Sequence, residues 1–537
     1  GAGLVDAAGA GLIDGSELIR YSASLDDDEV EDALADGAVL LLTDSNRKRG
    51  ERWTTVRHTR GYTETAEAEP LETDPTDNRL PLFPDAGTET MSVGDERGGV
   101  DAHATSYGNP ITFTSEERPA LAVDGDLETA WRTAAFSDAR GERIELSLAE
   151  PVTTDHVTLT QSTTGARNRF ITGVEVRFDG GDPLEVDLGT ESRDAPGQTV
   201  TFPERTFETM SVEIIADSAG WVPRYAGQSS VGFAEIEIGD ERPSTDQAIR
   251  LPTDLLDAAG ADATDHPVAV TLTRQRQDPS DTTRGDEELR MVRSLSLPSA
   301  RAFSLSGDAR IYRRFPSYVL DEVLGRPHDG SVTWVRASSQ LNGNAQTPSA
   351  AFDGDPATAW TTVRNDPGRQ WVEVNLTEPV TVDRVPLTVI ADGLHSVPTE
   401  VEVTVDGTTV GRIPLPDIAD GDHQNATQTV DVPLPEAVTG STFRLRLTGV
   451  RPLVTQDWNS DNDVDQPAAI AEIGLPGPTV PPLPATFDSG CRTDLVTVDG
   501  QALPVRVTGP MADALAGEPL ALSVCGGLAA AAAVGAV

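Results

Sequence analysis

One lysine, Lys48, stands in this chain of 537 residues, so arginine supplies nearly all the positive charge. Against 41 basic residues there are 87 acidic ones, a formal net charge of −46. A polyanion of that size repels nucleic acid and anionic membrane, so neither is expected as a partner; divalent cations are attracted instead. Aromatic residues make up only 5% and apolar residues 38%, which suits modest β-modules better than one large enzyme core. Catalytic signatures are missing as well. The seven histidines are scattered, with no H-E-x-x-H or C-x-x-C spacing, and there is no G-x-S-x-G elbow or phosphate-cradling G-x-x-x-x-G-K-[ST]. Carboxylate pairs suited to glycoside hydrolysis are too many in so acidic a chain to single one out. Cysteine occurs twice, at Cys491 and Cys525. Such a pair fits one disulfide and hence an extracytoplasmic compartment, with two unrelated thiols as the alternative. No stretch reaches the run of about 18–20 apolar residues that spans a bilayer. No basic leader precedes the apolar start, and both ends read as cut, so the chain is expected to be the soluble part of a longer polypeptide.

What is abundant is turn chemistry, with 48 glycines and 38 prolines, and a repeat. Ala122-Val123-Asp124-Gly125-Asp126-Leu127-Glu128-Thr129-Ala130-Trp131 returns as Ala351-Phe352-Asp353-Gly354-Asp355-Pro356-Ala357-Thr358-Ala359-Trp360. Alternating apolar and polar residues follow each copy, and then a shared phrase, Glu150-Pro151-Val152-Thr153 against Glu378-Pro379-Val380-Thr381. Each copy closes on a similar strand, Phe233-Ala234-Glu235-Ile236 or Ile470-Ala471-Glu472-Ile473. First Asp and closing Glu are 111 residues apart in one copy and 119 in the other. Agreement in motif, order and spacing identifies two copies of one β-domain.

The fold class is therefore mostly β, with two sandwich modules, a further β-domain and a small α/β segment at the N-terminus. Residues 1–63 form that segment. Leu18–Tyr21 reads as a short strand, Asp26–Ala35 as a helix with an acidic start, and Ala38–Asp44 as a buried parallel strand. Asp44-Ser45-Asn46 is expected to cap a helix through Arg47–Trp53. The strand end Thr43–Arg49 lies where open α/β sheets place ligands, unless its charges merely solvate a helix start. Residues 64–95 read as a linker. Module 1 spans 96–240, with strands at 111–114, 143–148, 155–161, 171–178, 198–202 and 209–216. Residues 241–329 form a β-segment expected to pair with 485–537, with module 2 (330–476) inserted between them. Residues 477–537 carry the final strands and the two cysteines.

The repeated Asp-Gly-Asp-x-x-Thr is a tight loop in which glycine relieves backbone strain. Two carboxylates, a hydroxyl and neighbouring carbonyls can converge there on calcium, which takes six to eight oxygens of mixed type. The distant Glu235 or Glu472 could close such a site. The alternative is an Asx-type turn capped by Thr, without metal.

The A-φ-D-G-D-x-x-T-x-W motif with its terminal A-E-I resembles the discoidin (coagulation-factor type C) fold of carbohydrate-binding modules. That resemblance implies a β-sandwich with a structural calcium beside the loop and a glycan site among the loops at one end. It places Asp124, Asp126, Thr129 and Glu235 at one calcium, and Asp353, Asp355, Thr358 and Glu472 at a second. Trp131 and Trp360 become core residues. Sugar binding needs an exposed aromatic face with polar groups beside it. Trp221, Arg224, Tyr225 and Gln228, with Arg167 on another loop (Arg167-Asn168-Arg169), are the candidates in module 1, and Trp458 in the acidic loop Asp457–Asp463 of module 2. Local packing of these aromatics is the alternative at each site.

The order of the whole chain is more specific. A strand leading into Leu42-Thr43-Asp44-Ser45-Asn46-Arg47-Lys48-Arg49-Gly50-Glu51-Arg52-Trp53, a Gly98-Gly99-Val100…Ser106-Tyr107-Gly108 entry and two such modules resemble the large extracytoplasmic part of actinobacterial membrane α-(1→3)-arabinofuranosyltransferases. The resemblance implies a glycan-binding, acceptor-recognising role on the periplasmic side, toward cell-wall arabinan (arabinogalactan or lipoarabinomannan). It implies a polyprenyl-phosphate arabinose donor and a membrane catalytic domain elsewhere in the same polypeptide, with no catalytic residue in this chain. A surface adhesin, or the accessory region of a glycoside hydrolase, would use the same modules.

Overall fold

The computed structural model describes residues 2–9, 11–52, 59–71, 83–111, 113–162, 169–221, 229–274, 288, 290–312, 316–326, 332–457, 462–476 and 480–526. It divides into two compact units, one reaching to residue 300 and the other beginning at 301. Strands dominate both, with a few short helices.

In the first unit, module 1 is a seven-stranded antiparallel assembly. Its order is Trp131–Arg132, Gly232–Ile238, Arg143–Gln161, Gln198–Asp217, Ile171–Phe178 and Leu184–Asp187, with Val100–Ala104 paired to Arg143–Gln161 off this path. Two of the strands are long and bent. Arg143–Gln161 and Gln198–Asp217 pair in three stretches separated by register shifts between Thr201 and Arg205 and between Phe207 and Thr209. Opposite the second of these shifts the partner strand runs from Ser147 to Val152, through the Glu150-Pro151 phrase. Proline donates no ladder bond, so it sits where the strand leaves one layer of the sandwich for the other. The strands expected separately at 143–148 and 155–161, and at 198–202 and 209–216, are thus two continuous ones. The expected strand at 111–114 is absent, since Ile111, Phe113 and Thr114 are turn or coil residues; the leading strand is Val100–Ala104 instead. Ile144, Leu146, Val157, Leu159, Val174, Val176, Val212 and Ile236 fill the core around a fully buried Trp131.

The rest of this unit is discontinuous in sequence. The helix Asp27–Ala35 begins at Asp26, whose carboxylate accepts the Glu29 N–H while Glu29 accepts the Asp26 N–H. Its Val30 and Leu34 pack with Leu40, Ala259 and Ala263. Strand Leu40–Thr43 pairs in parallel with Val268–Thr271, Leu40 opposite Val268. Strand Val93–Gly98 pairs with Thr245–Arg250. Three expectations are corrected here. Leu18–Tyr21 is coil, Arg47–Arg52 contains a bridge and a short strand rather than a helix, and the stretch 64–95 supplies β-bridges at Thr65 and Ser92 and the start of a strand. The parallel partner of Leu40–Thr43 lies more than 200 residues on, too far for local patterning to assign.

In the second unit, module 2 repeats the strand order of module 1. Trp360–Thr361, Ala469–Ile473, Trp371–Ile390, Thr427–Arg451, Val397–Val405 and Thr408–Pro414 follow one another, with Val332–Ala337 off the path. Trp360 is fully buried, as Trp131 is. A four-stranded sheet of Ser306–Ala309, Leu520–Val524, Val505–Pro510 and Thr486–Asp488 encloses a small core of Leu320, Leu324, Phe487, Met511 and Leu520. Module 2 is inserted between its halves. Of the segment 241–329, however, only residues from 306 onward join 485–537, because the strands Thr245–Arg250 and Val268–Thr271 belong to the first unit. Cys491 and Cys525 form one disulfide with Cα atoms 6.1 Å apart.

Candidate functional site

The two Asp-Gly-Asp loops fold alike. In module 1 the Asp124 carboxylate accepts the Asp126 N–H (3.0 Å) and the Thr129 hydroxyl (2.9 Å), and Asp126 accepts the Glu128 N–H (3.0 Å). Module 2 repeats this, with Asp353 accepting from Asp355 N–H (2.9 Å) and Thr358 Oγ1 (2.8 Å), and Asp355 accepting from Ala357 N–H (3.0 Å). Gly125 and Gly354 have φ of 77° and 73°, a conformation costly for any residue bearing a Cβ. Glu235 reaches back from the closing strand to accept the Gly125 N–H at 3.0 Å. The sequence-distant glutamate and the loop are thereby joined.

Their electrostatics differ. In module 1 burial, opposed only partly by hydrogen bonds from Asp126 and Thr129, pushes Asp124 up to about 6. Burial and then the nearby Asp124 charge push Glu235 up to about 8. Among the described residues no arginine, lysine or histidine pairs with Asp124, Asp126 or Glu235. The Thr129 hydroxyl has Asp124 Oδ1 and Oδ2, the Asp126 carbonyl and the Leu121 carbonyl between 2.8 and 3.4 Å, yet carries one proton. This crowd of hard oxygens, with the Arg118 charge acting on Asp124 only through space, has the donor chemistry that suits calcium. No three acidic, histidine or cysteine side chains converge among the described residues, so any ion here leans on carbonyl and hydroxyl oxygens. In module 2 the acidic loop already has a cation. The Arg326 guanidinium contacts Asp353, both side chains being almost wholly buried. Glu472, pushed up to about 7 by burial and then by Asp353, completes that cluster.

Of the residues expected to bind sugar, Arg167, Arg224, Tyr225, Gln228 and Trp458 lie outside the described residues. Trp221 is described and is 66% exposed. Ala219 N–H donates to Asp217 and Trp221 N–H to the Ser218 carbonyl, a turn that presents the indole beyond the strand end. Phe170 meets it edge-on, with ring centroids 5.6 Å apart and planes at 89°. The Arg193 guanidinium lies over Phe170 at 4.1 Å. Arg169 is not available to a ligand. It is 3% exposed, pairs with Asp217 and donates to the Ser229 and Ser137 carbonyls, tying three loops of this end together. Beside Ser137 stands Phe136, 58% exposed with φ of 67°. A bulky aromatic in the left-handed region is strained, and such strain gathers at ligand sites. Sequence reasoning missed Phe136; its place just past the motif tryptophan was the available signal.

The strand end Thr43–Arg49 carries a buried ion network and does not start a helix. Asp44 is 1% exposed and accepts the Thr273 N–H (2.9 Å) and Arg293 Nε (2.5 Å). Glu288 binds Arg293 (2.6 Å) and Arg47 (3.3 Å). Lys48 is buried too, its Nζ donating to the carbonyls of Thr65, Ala66 and Ala68 at 2.7–3.0 Å.

Two β-sandwiches of identical strand order, each with this loop at the buried tryptophan, define a tandem of discoidin-like modules, and residues 335–468 match the F5/8 type C domain. The chain is similar to an α-(1→3)-arabinofuranosyltransferase of Mycobacterium tuberculosis, 27% identical over 315 residues, 53% of this chain and 20% of that protein. It is similar also to its namesake from Mycolicibacterium smegmatis, 27% identical over 351 residues, 60% of this chain and 23% of that one. The chain thus spans about a fifth of the curated relatives it matches. The cryo-EM structure of arabinofuranosyltransferase AftD from Mycobacteria shares the fold along 94% of this chain and 39% of its own, with TM-score 0.65 at 18% identity. No helix among the described residues is long and apolar enough to cross a membrane.

Proposed function

We propose that this chain is the glycan-recognising part of a membrane arabinofuranosyltransferase that extends cell-wall arabinan from a polyprenyl-phosphate donor, and that it works on the extracytoplasmic side. The similarity to α-(1→3)-arabinofuranosyltransferases supports the choice of polymer. The Cys491–Cys525 bond supports an oxidising compartment. The observation that carries the glycan reading is Trp221, braced on one edge by Phe170 and otherwise open to solvent at a loop end. An indole face held this way can stack on a furanose ring while Arg193 and the loop carbonyls fix its hydroxyls. Transfer chemistry is assigned to parts of the polypeptide outside this chain.

Calcium is proposed at module 1, held by Asp124 and Glu235, the Thr129 hydroxyl and the carbonyls of Leu121 and Asp126. Its role is to neutralise two buried carboxylates and pin the closing strand to the loop. The test is calorimetric titration of the chain with arabinan oligosaccharides, in calcium and then in EDTA. Trp221→Ala is expected to weaken binding roughly tenfold, the equivalent of about 1.4 kcal/mol, without changing Tm. Absence of binding by the unmodified chain, with calcium still raising Tm, would reduce the modules to structural spacers.

A further inference from the structure

We propose that Arg326 is a built-in cation for the acidic loop of module 2, so that the two repeated loops differ in chemistry and only that of module 1 takes calcium. The proposal rests on the calcium reading of module 1 for the contrast, and on module 2's own geometry for the rest. The residues that would hold an ion in module 2 do not fit one, because a guanidinium lies against Asp353 where a metal would bind.

The sequence places Arg326 outside the repeat, 27 residues before Asp353. The fold brings it in through the helix Ser317–Val323. The Asp321 carboxylate of that helix is buried and accepts the Ser349 hydroxyl at 2.6 Å and the Thr347 hydroxyl at 3.3 Å, just ahead of the Asp-Gly-Asp loop. The Arg326 N–H then donates to the Asp321 carbonyl at 2.7 Å. These bonds aim the guanidinium, with its side chain 2% exposed, at an Asp353 side chain that is 0% exposed. Two buried atoms here lack partners, the Arg326 Nε donor and the Glu472 Oε1 acceptor. A calcium ion would have to displace a buried guanidinium that has no water to move into, and leaving one ion of such a pair unmatched is strongly unfavourable.

Among the described residues no cation of module 1 forms an ion pair with its loop carboxylates. Arg118, ahead of the loop, lowers Asp124 only through space, because its guanidinium donates to Glu96 at 2.7 Å and Gln247 at 2.5 Å. Duplication thus left one loop as an ion site and turned the other into a socket. Arg326 and Asp321 fasten the small four-stranded domain to module 2 there, and Asn344 adds a bond to the Ala514 carbonyl at 2.9 Å.

The test counts calcium bound per chain by equilibrium dialysis and elemental analysis, with calcium chloride as the only ligand. One ion is expected for the unmodified chain, none for Asp124→Ala, and still one for Asp353→Asn. Arg326→Met is expected to gain an ion. Loss of an ion in Asp353→Asn, or no gain in Arg326→Met, overturns the proposal. A count of zero in the unmodified chain would sink the calcium reading of module 1, and the gain in Arg326→Met would still decide this one. Should Arg326→Met fail to fold, the double variant Arg326→Met/Asp353→Asn removes both charges. In EDTA it is expected to melt well above Arg326→Met, and a double variant no more stable than the single one refutes the ion pair.

Discussion

Phe136 and Asn365 occupy the same position of the two repeats, each five residues past its buried tryptophan, and both have left-handed backbone, with φ of 67° and 71°. Asparagine tolerates that conformation and phenylalanine does not. Module 2 holds the residue the backbone favours, whereas module 1 holds an exposed aromatic ring on the loop end that carries Trp221. Replacing Phe136 by the residue of the other repeat separates stability from function. Phe136→Asn is expected to stabilise the chain by about 1 kcal/mol and to weaken arabinan binding. Chemical denaturation and calorimetric titration of the same variant check both. A destabilised Phe136→Asn with unchanged affinity would make the ring a packing residue.

The metal reading of module 1 predicts a conditional mutation. Asp124→Ala is expected to lower Tm in calcium and to leave it little changed, or raised, in EDTA. Without the ion, Asp124 is a desolvated carboxylate that burial raises to about 6, and its removal relieves that cost. Equal losses in both buffers would contradict a metal role.

Lys48 illustrates a different constraint. Its ammonium carries three donors, and the three carbonyls of Thr65, Ala66 and Ala68 surround it. Lys48→Met is expected to cost about 3 kcal/mol by stranding buried acceptors. Lys48→Arg should recover little, because a planar fork cannot aim at three carbonyls that converge on a point. Urea unfolding of the two variants measures this, and full recovery by arginine would show that only the charge matters.

Module 2 has an acid-sensitive turn. Asp392 is buried, which by itself would raise its pKa. Donation from His395 Nδ1 and from the N–H groups of Asn425 and Leu394, each at 2.9 Å, outweighs this and holds it below the usual carboxylate range. A carboxylate lowered in the folded state stabilises above its unfolded value, near 3.9, and that contribution fades as pH falls through the lower folded value. Asp392→Asn is therefore expected to lower stability at pH 7 and to flatten acid unfolding below about pH 4. Parallel acid-unfolding curves would remove Asp392 from the account.

The modular plan was legible because it depends on short-range regularities. Period-two alternation, a glycine where φ must be positive, a proline where a strand bends and a buried tryptophan recur in each copy, so the duplication and the β-class follow from pattern alone. The helix at Asp26 was equally local, a capping box written in four residues. The joining of 306–324 to 486–524 was visible in outline, since neither half could close a sheet. Its near boundary was not, because Thr245–Arg250 and Val268–Thr271 are strands that either unit's sheets could accept.

What the sequence determined by itself, then, was the set of local conformations and their repetition. Tertiary structure alone decided which charges meet. Asp44 and Arg293 are 249 residues apart, and Arg326 reaches Asp353 from outside the repeat. Whether a carboxylate in a given loop faces an arginine, a metal or water depends on which distant segment packs over it. A sequence of 87 acidic residues offers too many equivalent choices for pattern to select among them. The same Asp-Gly-Asp loop is therefore a candidate ion site in one module and a salt-bridged socket in the other. The difference comes from burial and pairing, which arise only once the chain has closed on itself.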